Sequence, residues 1–280
     1  MDLHEIRGEI NEAVEQRRKE LDLTFIEKYH TYYMRGVDGI KRSNYPSVSK
    51  IVKKYHPPFD QQGIAMSMCD NDPVKAKQLI AEWREAGRIS VNLGSRTHFL
   101  LEENLIGRYG DYKELRQPEF DCESEQVVIS DKMVNAGIEY LDLMEERGAV
   151  LLDTEMILGD PELGYVGQPD KSWLMLNKKK DNFGIVITDW KTNKPKNFEV
   201  YHYTKQMYPP FQRYPDNVLH HYHVQIPLYG RLLLKMLEES KFKGTSLLGG
   251  VVVLLKDDGT FTEFRVPKDI INNVFTLKIK

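Results

Sequence analysis

Apolar positions near the start of the chain recur every three or four residues. Leu3, Ile6, Ile10 and Val14 fall on one face of a helix, and Leu21 continues the same stripe. The pattern therefore predicts an amphipathic N-terminal helix. Because similar spacing returns several times before residue 148, we expect the first half of the chain to be mostly helical.

Capping residues divide this first half into separate predicted helices. Serine and aspartate favour helix starts, proline suits the first turn, and glycine commonly follows the last turn. The predicted segments are 48–55 after Ser47, 73–87 between Asp72 and Gly87, 94–107, and a helix from Asp131 to Gly148.

The second half changes to short apolar runs that are typical of strands. These runs are 149–158, 165–176, 183–191, 246–256 and 261–266. Turn-forming residues separate the first three runs, so that part of the sheet is expected to be antiparallel. A helix from about Asp216 to Ser240 follows an irregular stretch at 192–215. The predicted class is α+β, an α/β sandwich with a central mixed sheet flanked by helices.

Composition excludes several classes of protein. The 280 residues are 41% hydrophobic and 29% charged, which is a globular composition. No run of about 18 apolar residues is present, so no membrane partner is expected. The N-terminus lacks the apolar core of a secretory signal, and we expect an intracellular, cytoplasmic protein. Two cysteines cannot hold a four-thiolate iron–sulfur cluster. The net charge of −3 excludes a uniformly basic coat but allows a local basic channel.

A carboxylate and an amine stand together at the end of the third predicted strand. Side chains alternate along a strand, so Asp189 and Lys191 share one face and Trp190 points to the other. A hairpin could bring Asp170 beside Asp189. Two converging carboxylates need a shared proton or a cation, and Mg²⁺ bound by carboxylates and water would satisfy them. The alternatives are a surface ion pair at Asp189 and Lys191 and an ordinary turn residue at Asp170.

Three further polar residues are candidates for the same site. Glu155 lies within an apolar strand, where an acid either faces outward or has a function. His98 and Glu102 are four residues apart and lie on one helix face. They form either an ordinary polar pair or a ligand set that joins the carboxylates.

The irregular stretch at 192–215 interleaves cations with aromatic rings, a combination that suits single-stranded nucleic acid. The alternative is a surface loop whose rings pack on the sheet. The cations are Lys194, Lys196, Lys205 and Arg213, and the rings include Phe198, Tyr203, Tyr208, Phe211 and Tyr214.

Taken in order, these motifs resemble the PD-(D/E)XK nuclease superfamily, and more narrowly its RecB-like branch, which includes phage exonucleases and mitochondrial genome maintenance exonucleases. The resemblance covers roughly residues 45–255. It rests on Gly94, His98 and Glu102, then Glu155, then Gly167 and Asp170, then the run Asp189-Trp190-Lys191-Thr192, and finally Gln225 and Tyr229, with Tyr45-Pro46-Ser47-Val48-Ser49 ahead of them.

The resemblance implies a role for each matching residue. Asp170, Asp189, His98 and the backbone carbonyl of Trp190 would bind Mg²⁺ or Mn²⁺, and Lys191 would be the catalytic lysine. The other implied roles are positioning of the active-site strand or a nucleotide by Gln225 and Tyr229, and support by Glu102 and Glu155. Together with the loop, whose composition suits single strands, the candidate nucleic-acid contacts are Ser47, Ser49, Lys194, Lys196, Tyr203, Lys205, Tyr208 and Arg213.

The implied fold is a restriction-endonuclease-like core over 91–280, preceded by a helical extension or cover over 1–90. The implied activity is a metal-dependent, single-strand-specific DNA exonuclease in replication, repair or recombination. Its partners would be single-stranded DNA and a separate helicase or single-strand-binding protein, and a phage-encoded protein acting in the host cytoplasm fits the same pattern. A structure-selective endonuclease and a non-catalytic nucleic-acid-binding subunit are the alternatives. Two departures stand out: many members carry a four-cysteine iron–sulfur staple, which this chain cannot build, and Pro169 interrupts the usual small-residue turn before Asp170.

Overall fold

The computed structural model describes residues 2–109, 119–179, 181–198 and 205–279. Five of its α-helices precede the first strand of the five-stranded central sheet. The α-helices are α1 (Leu3–Glu20), α2 (Val48–Val52), α3 (Gln61–Met68), α4 (Pro73–Tyr109), α5 (Ser124–Glu146), α6 (Val218–Met236) and α7 (Lys268–Thr276). The strands are β1 (Thr24–Ile26), β2 (Thr31–Arg35), β3 (Lys41–Arg42), β4 (Val150–Thr154), β5 (Leu158–Asp160), β6 (Tyr165–Gly167), β7 (Lys171–Leu176), β8 (Phe183–Lys191), β9 (Ser246–Leu255) and β10 (Phe261–Arg265).

A five-stranded mixed sheet forms the centre of the protein, in the order β10-β9-β8-β7-β4. Strands β4, β7 and β8 pair antiparallel, as the hairpin-like connections predicted. Strands β8 and β9 pair parallel, because α6 connects them as a crossover. The predicted α+β class with a helix-flanked mixed sheet is confirmed.

Alternating side chains of the central sheet enter two separate apolar cores. Leu174 and Ile187 belong to the core beneath α6, which also receives apolar residues of α1 and α7. Trp173 and Trp190 belong to the core on the opposite face, beneath α4 and α5. Both faces are therefore covered by helices, and polar side chains must gather at the strand ends.

Several predicted boundaries in the first half are wrong. Gly87 does not end a helix, because α4 runs continuously through it from Pro73 to Tyr109. An isolated glycine costs a helix about 1 kcal/mol, which the packing of a long helix outweighs. Helix α5 begins at Ser124 rather than at Asp131, with Gln126 completing a capping box. The first half also contains the small sheet β1-β2-β3.

Smaller differences affect the second half. Each of the first two predicted strands is divided, into β4 and β5 and into β6 and β7, and β5 pairs with β6 in a separate ribbon. The break between β4 and β5 falls at Glu155, whose left-handed φ of 49° departs from the extended backbone of a strand. The C-terminal residues form α7, a helix that the sequence pattern does not predict.

A candidate metal centre at the end of the central sheet

Two acidic side chains meet where β7 begins and β8 ends. Lys171 pairs with Thr188 in the antiparallel ladder, so Asp170 and Asp189 are adjacent at the next register position. The Trp190 backbone N–H donates a hydrogen bond of 2.7 Å to Asp170 Oδ2. Asp170 is 8% exposed and Asp189 is 2% exposed. The structure therefore brings two carboxyl groups together in a largely buried place.

Lys191 forms an ion pair with Asp189 on the same strand face, as side-chain alternation predicted. Its Nζ also lies 4.4 Å from the ring centroid of Tyr222 on α6. Burial opposes the charged form of Lys191, but the neighbouring carboxylates of Asp189 and Asp170 outweigh burial and raise its pKa above the usual range. Lys191 is therefore a fixed cation in the metal-free protein.

Burial has the opposite effect on Asp189. It raises the pKa of this carboxyl to about 7, with further upward pressure from Asp170 and an opposing effect of Lys191. For Asp170, burial also favours the neutral form, but His98, Lys191 and Lys171 together lower its pKa below the usual value. The two carboxyl groups are thus differently ionised near neutral pH.

Helix α4 carries His98 to these carboxyl groups. Its Nδ1 lies 3.6 Å from Asp170 Oδ2. Burial lowers the pKa of the His98 imidazole, while Asp170 raises it. The helix can approach because residue 94 is glycine: a Cβ there would lie 2.9 Å from Thr192 Oγ1. The neutral imidazole has a lone pair that a metal ion could accept.

Glu155 completes this group from the bend after β4. Its backbone N–H donates to the Asp170 carbonyl (3.2 Å), and its own carbonyl accepts from Gln168 Nε2 (2.9 Å). Burial and the nearby Asp170 raise the pKa of Glu155 well above its usual range. Possible ligand atoms of His98, Glu155 and Asp170 all lie within 4.8 Å of one another.

This set of one imidazole and two carboxylates fits a divalent cation. Carboxylate oxygens suit Mg²⁺ and Mn²⁺, and an imidazole is compatible with Mn²⁺. Burial, with a further contribution from Asp170, raises the pKa of both Glu155 and Asp189, and a bound cation would favour their ionised forms. Asp189 is not among the three residues whose ligand atoms come within 4.8 Å, and its carboxylate is paired with Lys191.

The remaining motif residues lie around the same carboxyl groups. Glu102 accepts a hydrogen bond from Thr154 Oγ1 (3.4 Å). Gln225 Nε2 donates to the Tyr229 hydroxyl (3.1 Å) on α6. Gly167 lies against this tyrosine, since a Cβ at the glycine would come within 2.7 Å of the ring. The Trp190 side chain is fully buried on the other face of the sheet, 5.3 Å from the Tyr140 ring centroid.

Lys171 is a residue of the site that sequence reasoning missed. It is 1% exposed, and its Nζ donates to the Asp170 carbonyl at 2.9 Å. The same Nζ lies 5.9 Å from the Trp190 ring centroid. A lysine beside a turn aspartate suggests solvent exposure, but the apolar residues that follow it were a signal that this strand is buried. Tyr222, above Lys191, was also missed.

The residues predicted to contact nucleic acid differ in their exposure to solvent. Ser47 is half-buried and its backbone bridges to Val166. Tyr208 is 45% exposed, whereas Phe198 and Phe211 are buried in the core. The remaining predicted contacts that the structure describes are exposed: Ser49, Lys194, Lys196, Lys205 and Arg213. Tyr203 lies outside the described residues. Packing on the core, the alternative for the rings of this loop, is therefore confirmed for Phe198 and Phe211.

A cleft of about 510 Å³ opens beside the acidic group. Glu102, Glu155 and Gln168 line one side, and Asn11 and Arg18 of α1 line the other. The N-terminal helix therefore forms one wall of the cleft. Within the part of the chain that the structure describes, no helix has the length and apolarity needed to cross a membrane.

No protein-family model matches this chain, and no curated protein sequence is significantly similar to it. The geometry of the site and the motifs in the sequence are therefore the features that bear on function.

Proposed function

We propose that this protein is a metal-dependent nuclease with a PD-(D/E)XK-type site on a restriction-endonuclease-like core. The observation that carries the proposal is the convergence of His98, Glu155, Asp170 and the Asp189–Lys191 pair on one end of the sheet. A binding module has no need for so many buried ionisable groups in one place. The succession of helix, antiparallel strands, crossover helix and parallel strand also supports this core.

His98, Glu155 and Asp170 would hold Mn²⁺ or Mg²⁺, with Asp189 and the Trp190 carbonyl beside them. When bound, the cation would activate water and neutralise charge on a phosphodiester. Lys191 would supply a fixed positive charge next to the reacting phosphate, because its raised pKa makes it a poor base and a persistent cation. Gln225 and Tyr229 would position the strand from α6.

The proposed substrate is single-stranded DNA entered from a free end. Residues of α1 bound the cleft of about 510 Å³ beside the acidic group, and a single strand needs less room there than a duplex. Exposed cations at Lys194, Lys196, Lys205 and Arg213 and the exposed ring of Tyr208 would supply phosphate and stacking contacts. A separate helicase or single-strand-binding protein would supply the strand.

The test compares linear and circular single-stranded DNA of one sequence, incubated with Mn²⁺ and separated by size. The wild-type protein should degrade the linear form alone, and Asp170→Asn should abolish degradation. Asp257→Asn, in the exposed hairpin turn between β9 and β10, is the matched control and should remain fully active. Equal cleavage of both forms would support the endonuclease alternative, and activity in excess EDTA would contradict metal dependence.

A second test addresses Lys191. Lys191→Ala should lower turnover by at least about 100-fold, which is typical for losing one transition-state contact. Lys178→Ala, at an exposed turn lysine, is the control. If only the KM of Lys191→Ala rose, this lysine would anchor phosphate in the ground state instead.

A further inference from the structure

A second group of metal-binding side chains lies outside the candidate metal centre. It consists of His56, which follows α2 and a short 3₁₀ turn, together with Asp216 and His221 at the start of α6. His221 Nε2 lies 2.7 Å from Asp216 Oδ1, and His56 Nδ1 lies 4.0 Å from the same oxygen. The two imidazole rings stack with their centroids 3.8 Å apart. Possible ligand atoms of all three residues lie within 4.8 Å of one another.

Backbone hydrogen bonds hold these residues in place from both sides. The Tyr208 N–H donates to the Tyr55 carbonyl at 2.7 Å, which ties the chain before His56 to the loop before α6. The Asp216 N–H donates to the Lys205 carbonyl at 2.8 Å. Asn217 then caps α6 through the backbone N–H of His220. The cluster is thus built on fixed backbone rather than on free side chains.

The distances suit a small tetrahedral ion. Zinc bonds of about 2.0–2.1 Å place neighbouring ligand atoms about 3.4 Å apart. The 2.7 Å from His221 Nε2 to Asp216 Oδ1 is shorter than that value, and possible ligand atoms of all three residues lie within 4.8 Å of one another. Binding one ion would require side-chain rotations that unstack the two imidazole rings so that both lone pairs point at it. The Pro57 carbonyl lies 3.0 Å from His56 Nδ1. A proton on Nδ1 donated to this carbonyl leaves the Nε2 lone pair for a metal, the usual arrangement around ligating histidines.

We propose that His56, Asp216 and His221 form a second metal site that takes Zn²⁺. The two imidazoles are borderline ligands that favour Zn²⁺ over the hard cation Mg²⁺, and zinc sites also accept a carboxylate oxygen. The three side chains are 18%, 15% and 22% exposed, so water reaches the cluster and completes the coordination as the fourth ligand. Zinc binding at this site does not require the proposed nuclease function.

The ion would tether two separate parts of the chain. His56 belongs to the N-terminal region, whereas Asp216 and His221 hold the first turn of α6. The next residue, Tyr222, covers Lys191 and donates to Asn193 Oδ1 at 3.0 Å. Zinc at the second site would therefore fix the helix that covers the candidate metal centre.

The test measures zinc content after equilibrium dialysis of the full chain against Zn²⁺. Asp170→Asn with His98→Ala provides the background, because these changes disable the first cluster. In this background we expect one Zn²⁺ per chain, and His221→Ala should reduce it to near zero. His4→Ala, at an exposed histidine of α1, is the matched control and should keep one ion.

A second measurement separates a built site from adventitious binding. Co²⁺ in the same background should give the intense visible absorption of a tetrahedral centre, and Zn²⁺ should raise the Tm by binding the folded state. Both effects should vanish in His56→Ala and in Asp216→Asn, which provide further variants if His221→Ala fails to fold. Zinc binding that is unchanged in all three variants, or no zinc binding in the background protein, would overturn the proposal.

Discussion

Metal binding at the candidate centre should depend steeply on pH because of Asp189. Its buried carboxyl has a pKa raised to about 7, whereas an ordinary aspartate has a pKa of 3.8. Below pH 7 the carboxyl is therefore protonated in the metal-free protein, and a cation bound beside it must displace the proton. Above pH 7 the carboxyl is already ionised, and this cost disappears.

The loss of Mn²⁺ affinity at low pH follows from the difference between the pH and the pKa of Asp189. At pH 5 about one Asp189 carboxyl in a hundred is ionised, against half of them at pH 7, so Mn²⁺ binding is weaker by about 50-fold, or roughly 2 kcal/mol, than at pH 7. Glu155 makes the Mn²⁺ affinity depend more steeply on pH, because its pKa is also raised well above the usual range. His98 adds little, since burial lowers its pKa and keeps the ring neutral.

Isothermal titration calorimetry with Mn²⁺ at pH 6, in two buffers of different ionisation enthalpy, counts the protons released. Asp189→Asn removes one titrating carboxyl and should release about one proton fewer per ion than the wild type. Asp257→Asn, at an exposed position, should match the wild type. An Mn²⁺ affinity that is constant between pH 5 and 7 would refute the reasoning.

Three stability predictions concern the packing around the site, and each is measured by urea denaturation against the wild type. Gly87→Ala should stabilise the protein by about 0.5–1 kcal/mol, because the residue is exposed within α4 and a Cβ there meets nothing within 4 Å. Gly137→Ala should destabilise it by roughly 1–3 kcal/mol, because the new Cβ would lie 2.6 Å from Leu101 Cδ2. Thr188→Val should cost roughly 1–3 kcal/mol, because Trp173 Nε1 would lose its buried partner at 3.0 Å. An unchanged midpoint in Thr188→Val, or equal effects of the two glycine changes, would contradict these assignments.

The central strands could be predicted because local pattern and tertiary burial agree in them. The run 183–191 is the observed β8, with Asp189 and Lys191 on one face and Trp190 on the other. The Asp257-Asp258-Gly259 sequence is typical of a tight turn and connects β9 to β10, and Gly259 has the left-handed φ of 86° that favours glycine. In these segments each residue's own preference points to the same structure.

Features that depend on distant partners could not be predicted. Gly87 resembles a helix end, but packing of the long helix α4 overrides that local preference. Lys171 resembles a surface lysine, and only the assembled sheet shows its ammonium against the Asp170 carbonyl. The cluster of His56 and His221 joins positions that are 165 residues apart in sequence, so no local pattern could reveal it.

Helix α6 connects the two candidate metal sites through its own geometry. A helix turns about 100° per residue, so His221, Tyr222, Gln225 and Tyr229 all lie within about 100° of arc on one side. That side meets the second cluster at its first turn, the Lys191 ammonium at Tyr222, and the turn before Asp170 at Tyr229. His221 and Tyr222 are consecutive residues near the start of α6, so fixing His221 would also restrain the ring above Lys191. Release of an ion from the second cluster would therefore loosen the cover of the first site without removing any of its ligands.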